Sequence, residues 1–166
     1  MRILTIQNMV YAGVLISLLG VGFSKADARP QARLVPEKNR VEIGMNNGPS
    51  ATRMLPLYEQ RQIQYFSAGV GLEEREAQYP PFSLKCVFVE GAKPFLARVA
   101  VTVRDEQGEE VLRVPGEQVN GPWLFIDLPK GKYVVAGTRS DGIEVQRKVL
   151  IEESSTARVH FHFPAS

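Results

Sequence analysis

An all-β sandwich of seven antiparallel strands in Greek-key order is the fold class this sequence predicts, on three observations. From Phe82 onward apolar residues recur at every second position, the side-chain period of a strand with one face in a core. Turn-forming residues punctuate that stretch at short spacing: Asp105-Glu106-Gln107-Gly108, Pro115-Gly116, Pro129-Lys130-Gly131 and Asp141-Gly142. The chain holds one cysteine, Cys86, so no intrachain disulfide is available and apolar burial must hold the fold.

Residues 1–28 read as an export signal peptide. Arg2 gives a positive start, Met9 to Phe23 are mostly apolar, and Ala26-Asp27-Ala28 fits a small-residue cleavage site. The apolar stretch is shorter than the ~20 residues a membrane-spanning helix needs. No cysteine follows for acylation, so the processed chain is expected to be periplasmic, soluble and without a transmembrane segment. Removal of Arg2, Lys25 and Asp27 leaves a net charge of +1. That balance excludes the strongly basic class of nucleic-acid binders.

Residues 29–64 are expected to be an extended or partly disordered linker, broken by Pro30, Pro36, Asn46-Asn47-Gly48-Pro49 and Pro56. Met54 to Phe66 could hold a short strand or dock on the domain, since Leu55, Leu57, Ile63, Tyr65 and Phe66 are apolar. Residues 65–81 form a short helix and turn segment. Leu72 to Gln78 favours a helix, Glu73 and Glu74 suit its positive end, and Pro80-Pro81 stop it. Gly69-x-Gly71 is too short for a dinucleotide fingerprint and reads as a turn.

Residues 82–166 carry the sandwich. Leu84, Cys86 and Phe88 alternate with Lys85, Val87 and Val89, and Val99, Val101 and Val103 with Arg98, Ala100, Thr102 and Arg104. Glu110 to Val114 follows the Asp105 turn. Trp123 to Leu128 and Lys132 to Arg139 flank Pro129-Lys130-Gly131, where Gly131 is expected to supply a positive φ so that the chain reverses. Asp141-Gly142 signals a two-residue hairpin loop into Ile143 to Ile151. Val159, Phe161 and Phe163 alternate with His160 and His162 at the end.

The run Val99-x-Val101-x-Val103, Asp105-x-x-Gly108, then Gly121, Trp123 and Phe125, then Leu128-Pro129-x-Gly131-x-Tyr133, resembles the bacterial carboxypeptidase-regulatory-like domains. These are small β-sandwiches of the transthyretin (prealbumin) type, and the match covers about residues 82–163. The segment Gly69 to Arg75 is similar to one that precedes this domain in small uncharacterised exported proteobacterial proteins. The resemblance implies a prealbumin-like fold and a non-catalytic accessory or interaction module, with another envelope protein or a surface polymer as partner.

Candidate sites are few. Trp123 and Tyr133 could form a carbohydrate-stacking platform, against the alternative that both are core aromatics. His160 and His162, two residues apart on a strand, project from one face and could share a divalent metal, although no third ligand is near in sequence. Cys86 lies on the inward face as a buried thiol rather than a nucleophile. Asp127 could hold the amides of the following turn. No catalytic set and no cofactor motif is present, so the expected function is non-enzymatic and no cofactor is expected.

Overall fold

The computed structural model describes residues 29–44, 52–92 and 95–165. The expected signal peptide lies outside the described residues. Among the described residues no helix is long and apolar enough to cross a membrane.

All seven expected strands are present, but the described chain holds twelve. In order they are β1 (Ala32–Val35), β2 (Arg40–Gly44), β3 (Thr52–Pro56), β4 (Tyr58–Gln60), β5 (Ile63–Ala68), β6 (Leu84–Glu90), β7 (Ala100–Arg104), β8 (Glu110–Val114), β9 (Trp123–Ile126), β10 (Gly131–Thr138), β11 (Glu144–Ile151) and β12 (Ala157–Phe163). One short helix, α1 (Leu72–Glu76), precedes β6. The strands make a four-stranded sheet, β11-β10-β7-β8, a five-stranded sheet, β12-β6-β9-β5-β4, and a three-stranded sheet, β1-β2-β3.

The four- and five-stranded sheets enclose the main core. Leu84, Cys86, Phe88, Leu124, Ile126 and Phe161 from one meet Val101, Val103, Leu112, Val135 and Ile151 from the other. The alternation of period two dictates this: in each strand one set of alternate residues is buried between the layers. The all-antiparallel expectation fails at one place, because β12 pairs with β6 in parallel, Val159 beside Cys86 and Phe161 beside Phe88. The short crossing from β11 carries the chain to the opposite sheet. β12 therefore enters beside β6 instead of returning along a hairpin partner.

Residues 29–64, expected as an extended lead-in, hold β1 to β4 and the start of β5. β1, β2 and β3 form an antiparallel sheet with a second core, in which Val41, Ile43, Leu55 and Leu57 join Phe66, Ala68, Phe82 and Phe125. Phe66 and Phe125 stack with ring centroids 4.7 Å apart. Both faces of β9 are therefore covered, Leu124 and Ile126 by the main core and Phe125 by the second. A strand apolar on both faces is what burial on both sides requires.

Two turns differ from expectation. Gly131 is not in the positive-φ region; it opens β10 opposite Ile151. The Pro129-Lys130-Gly131 corner leads from β9 in one sheet to β10 in the other, so its job is to change layer. Between β10 and β11 the hairpin narrows to a three-residue loop, Ser140 to Gly142, closed by Arg139 N donating to Ile143 O at 2.9 Å and Gly142 N to Arg139 O at 2.9 Å, with Gly142 at φ +89°. This is a tight turn followed by a left-handed residue, which bulges the hairpin by one position. The Asp105 turn is as read: its carboxylate accepts from Gln107 N and Glu109 N, and Gly108 takes φ +83°.

Candidate anion-binding face

Strand register assigns the outward residues of the five-stranded sheet to rows. Arg158, Lys85, Phe125 and Phe66 are successive cross-strand neighbours, and so are His160, Val87, Trp123 and Ala68; His162 sits beside Val89. The three-stranded sheet covers the β5 and β9 end of these rows. The β6 and β12 end stays outside that cover and carries Lys85, Arg158, His160 and His162.

Lys85 is the pivot of this strip. Its Nζ lies 3.3 Å from the centroid of the Trp123 ring and 5.0 Å from that of Phe125. The ring quadrupoles attract the ammonium. Partial burial and the neighbouring Arg158 guanidinium oppose its charge and lower its pKa to about 8. Arg158, His160 and His162 are exposed, and the two imidazoles lie with centroids 6.1 Å apart and planes 16° from parallel. Among the described residues none of these four groups enters a salt bridge, and no Asp or Glu occupies an outward position of β9 or β12, or of β6 from Lys85 to Val89. The next carboxylate along β6, Glu90, is 2.7 Å from Arg139 Nη1. The field of such a strip attracts anions.

Trp123 and Tyr133 are not brought together. Trp123 is on β9 of the five-stranded sheet, half-buried, with the Lys85 ammonium over its ring where a stacked sugar would sit. Tyr133 is on β10 of the four-stranded sheet, its hydroxyl donating to Pro129 O at 3.0 Å, which pins the layer-changing corner. Tyr133 also lines a shallow groove of about 510 Å³ with Lys132, Val134, Lys148 and Leu150. Asp127 is exposed at the end of β9, and its backbone N–H donates to Gln64 O.

His160 and His162 do share a face. Among the described residues no third His, Cys, Asp or Glu joins them in a cluster able to hold a metal ion. The positive groups beside them, Lys85 and Arg158, repel a divalent cation. Cys86 faces the main core, fully buried, and burial pushes its thiol up to about 12. A thiol so placed stays protonated and unreactive.

One buried polar arrangement has a weak sequence signal. Glu74 on α1 is 2 % exposed; its Oε2 accepts from Gly69 N at 2.8 Å and Val70 N at 3.1 Å, while Arg53 Nε on β3 lies 3.0 Å from Oε1. Tyr79 donates its hydroxyl to Glu74 O at 2.8 Å. The carboxylate thus ties the helix to the turn before it and to the three-stranded sheet. The readable signal is the spacing Gly71 to Glu74, that of a helix-start residue and a glutamate reaching back.

No family model and no curated protein sequence matches this chain. Solved structures that align with it include BcpA, the major pilin subunit of Bacillus cereus, at 12% identity and TM-score 0.37, over 76% of this chain and 37% of that one. A single-residue variant of the same pilin subunit aligns at 12% identity and TM-score 0.33, over 74% and 36%. The chain spans little more than a third of the pilin chains it matches.

Proposed function

We propose that this chain is a non-enzymatic, exported β-sandwich of the cell envelope that acts by contact, as its resemblance to carboxypeptidase-regulatory-like domains implies. The contact surface in this reading is the uncovered half of the outer face of the five-stranded sheet, and the partner is an anionic component of the envelope. One observation carries the reading: Lys85, Arg158, His160 and His162 converge on one sheet face with no carboxylate between them, in a chain whose overall charge is only +2. A solvated surface of a near-neutral protein ordinarily intersperses both signs. Single-sign concentration on one face marks electrostatic attraction of a partner.

Co-sedimentation of the purified protein with isolated envelope fragments tests this. The protein is expected to pellet with the fragments at low salt, to be released as salt rises, and to lose most of its retention in the Arg158→Glu variant. A protein that stays in the supernatant at every salt concentration contradicts the proposal.

A further inference from the structure

Resting on the reading of the strip as a contact surface, we infer that its partner is an extended polypeptide segment with a carboxylate at every second residue, which adds as a further strand beside β12. β12 is an end strand of the five-stranded sheet and, among the described residues, pairs only with β6. Successive residues of a strand turn their N–H and C=O groups to opposite sides. Ala157 N donates to Ser83 O at 2.8 Å and Phe163 O accepts from Gly91 N at 3.0 Å, so the odd-numbered residues of β12 turn theirs to β6. Those of Arg158, His160 and His162 therefore face the outer edge. His160 O does take a donor from that side, Arg147 Nε on β11 at 3.2 Å, which an added strand replaces with an N–H of its own. The residues with outward-facing backbone are the same three whose side chains carry the basic strip.

That coincidence selects the partner's chemistry. An edge row of N–H and C=O groups is a template for another peptide backbone, which supplies both donors and acceptors at the strand repeat. A phosphodiester linkage accepts hydrogen bonds but gives none to the carbonyls. In an added strand, the residues opposite Arg158, His160 and His162 lie on the strip's face of the sheet, as Lys85, Val87 and Val89 do on the other side. Carboxylates are the favourable cross-strand neighbours there. The residues between them turn to the inner side of the edge, beside the half-buried Ile143 and Val145 of β11, and apolar side chains suit that side.

The other edges of the sandwich suit such a partner less. β8 is closed against β4 and the turn after it: Arg113 N donates to Gln60 Oε1 at 3.0 Å, and Glu110 O accepts from the Arg61 guanidinium. On β11 the exposed row is Glu144, Gln146, Lys148 and Leu150, which mixes both signs and selects no charge. β12 alone joins an outward backbone to side chains of one sign.

Fluorescence anisotropy of the purified protein with labelled, end-capped octapeptides tests the inference. One peptide alternates glutamate and valine, and a second has the same composition with like residues in pairs. Two more are the alternating peptide N-methylated at every glutamate or at every valine. The alternating peptide is expected to bind, and the paired one several-fold more weakly, since pairing sends carboxylates to both faces. One methylated form should keep its affinity and the other lose more than about tenfold, because a strand turns only alternate N–H groups to its neighbour. Arg158→Ala should weaken the alternating peptide about twofold to fivefold. Equal binding of the alternating and paired peptides, equal effects of the two methylations, or an affinity untouched by Arg158→Ala overturns the inference. So does binding of poly(glycerol phosphate) without binding of the alternating peptide, which would assign the strip to a non-peptide anion. Retention on envelope fragments without peptide binding defeats the partner and leaves the contact reading standing; absence of both defeats the two together.

Discussion

Lys85 shows what the strand period leaves open about a side chain on the outward face. It alternates with Leu84 and Cys86, which places it outward, and its ammonium is drawn over Trp123 and half removed from water. Its folded-state pKa of about 8 lies below the unfolded value near 10.4. Below pH 8 both states hold the proton and the folded state bears the full cost of partly burying it. As pH rises through 8 the folded state releases its proton first, so this group's cost to stability falls until the unfolded lysine also deprotonates near pH 10.4. Lys85→Met should therefore raise the urea midpoint at pH 7 and lose that part of the increase in stability between pH 8 and 10. Equal pH slopes for the two proteins would show that the ammonium is fully solvated. Cys86 was legible from its place among Leu84 and Phe88, and the structure adds only how completely it is shut off.

At the scale of elements, the strands that alternate cleanly were legible, because one buried and one wet face leave a period-two trace. β8 is found at residues 110–114, where the pattern placed it. β1 and β2 were not legible, and β3 showed only through the apolar stretch from Met54 that could hold a strand. They are four or five residues long and broken by prolines, and β1 is anchored at its start by pairing with a residue far along the chain, Gln31 beside Gln78. The signal that did point to them was indirect: β9 is apolar on both faces, so a second layer had to cover Phe125. Gly121 marks the same junction. A Cβ built there would lie 2.3 Å from Ala68 O, and Gly121 N donates to Ser67 Oγ at 2.9 Å. The obstacle is backbone of β5, which cannot shift without parting it from β9. Gly121→Ala should accordingly destabilise the protein by roughly 1–3 kcal/mol, the range for overpacking, measured by urea denaturation. An unchanged midpoint would mean that the β5–β9 junction is looser than the structure has it.

At the scale of the molecule, the three layers explain why composition hid the candidate site. The chain's net charge of +2 and its even mixture of acid and base suggest no preferred ligand. Pairing β12 with β6 sets Arg158 beside Lys85, and the three-stranded sheet covers the aromatic remainder of that face, so the basic groups are left together. Neither step is visible along the chain: a two-residue repeat fixes which residues share a face, but not which strands are neighbours. The acidic side chains are spent elsewhere, in pairs such as Glu42 with Arg33, Glu90 with Arg139 and Glu106 with Lys132. The uncovered half of this sheet face is the surface proposed to meet the partner. Hydrogen exchange of the protein bound to envelope fragments tests it most directly. Added protection should be confined to peptides of β6 and β12, residues 84–90 and 157–163. Protection that falls instead on β10 and β11, around the Tyr133 groove, with β12 unchanged, would contradict it.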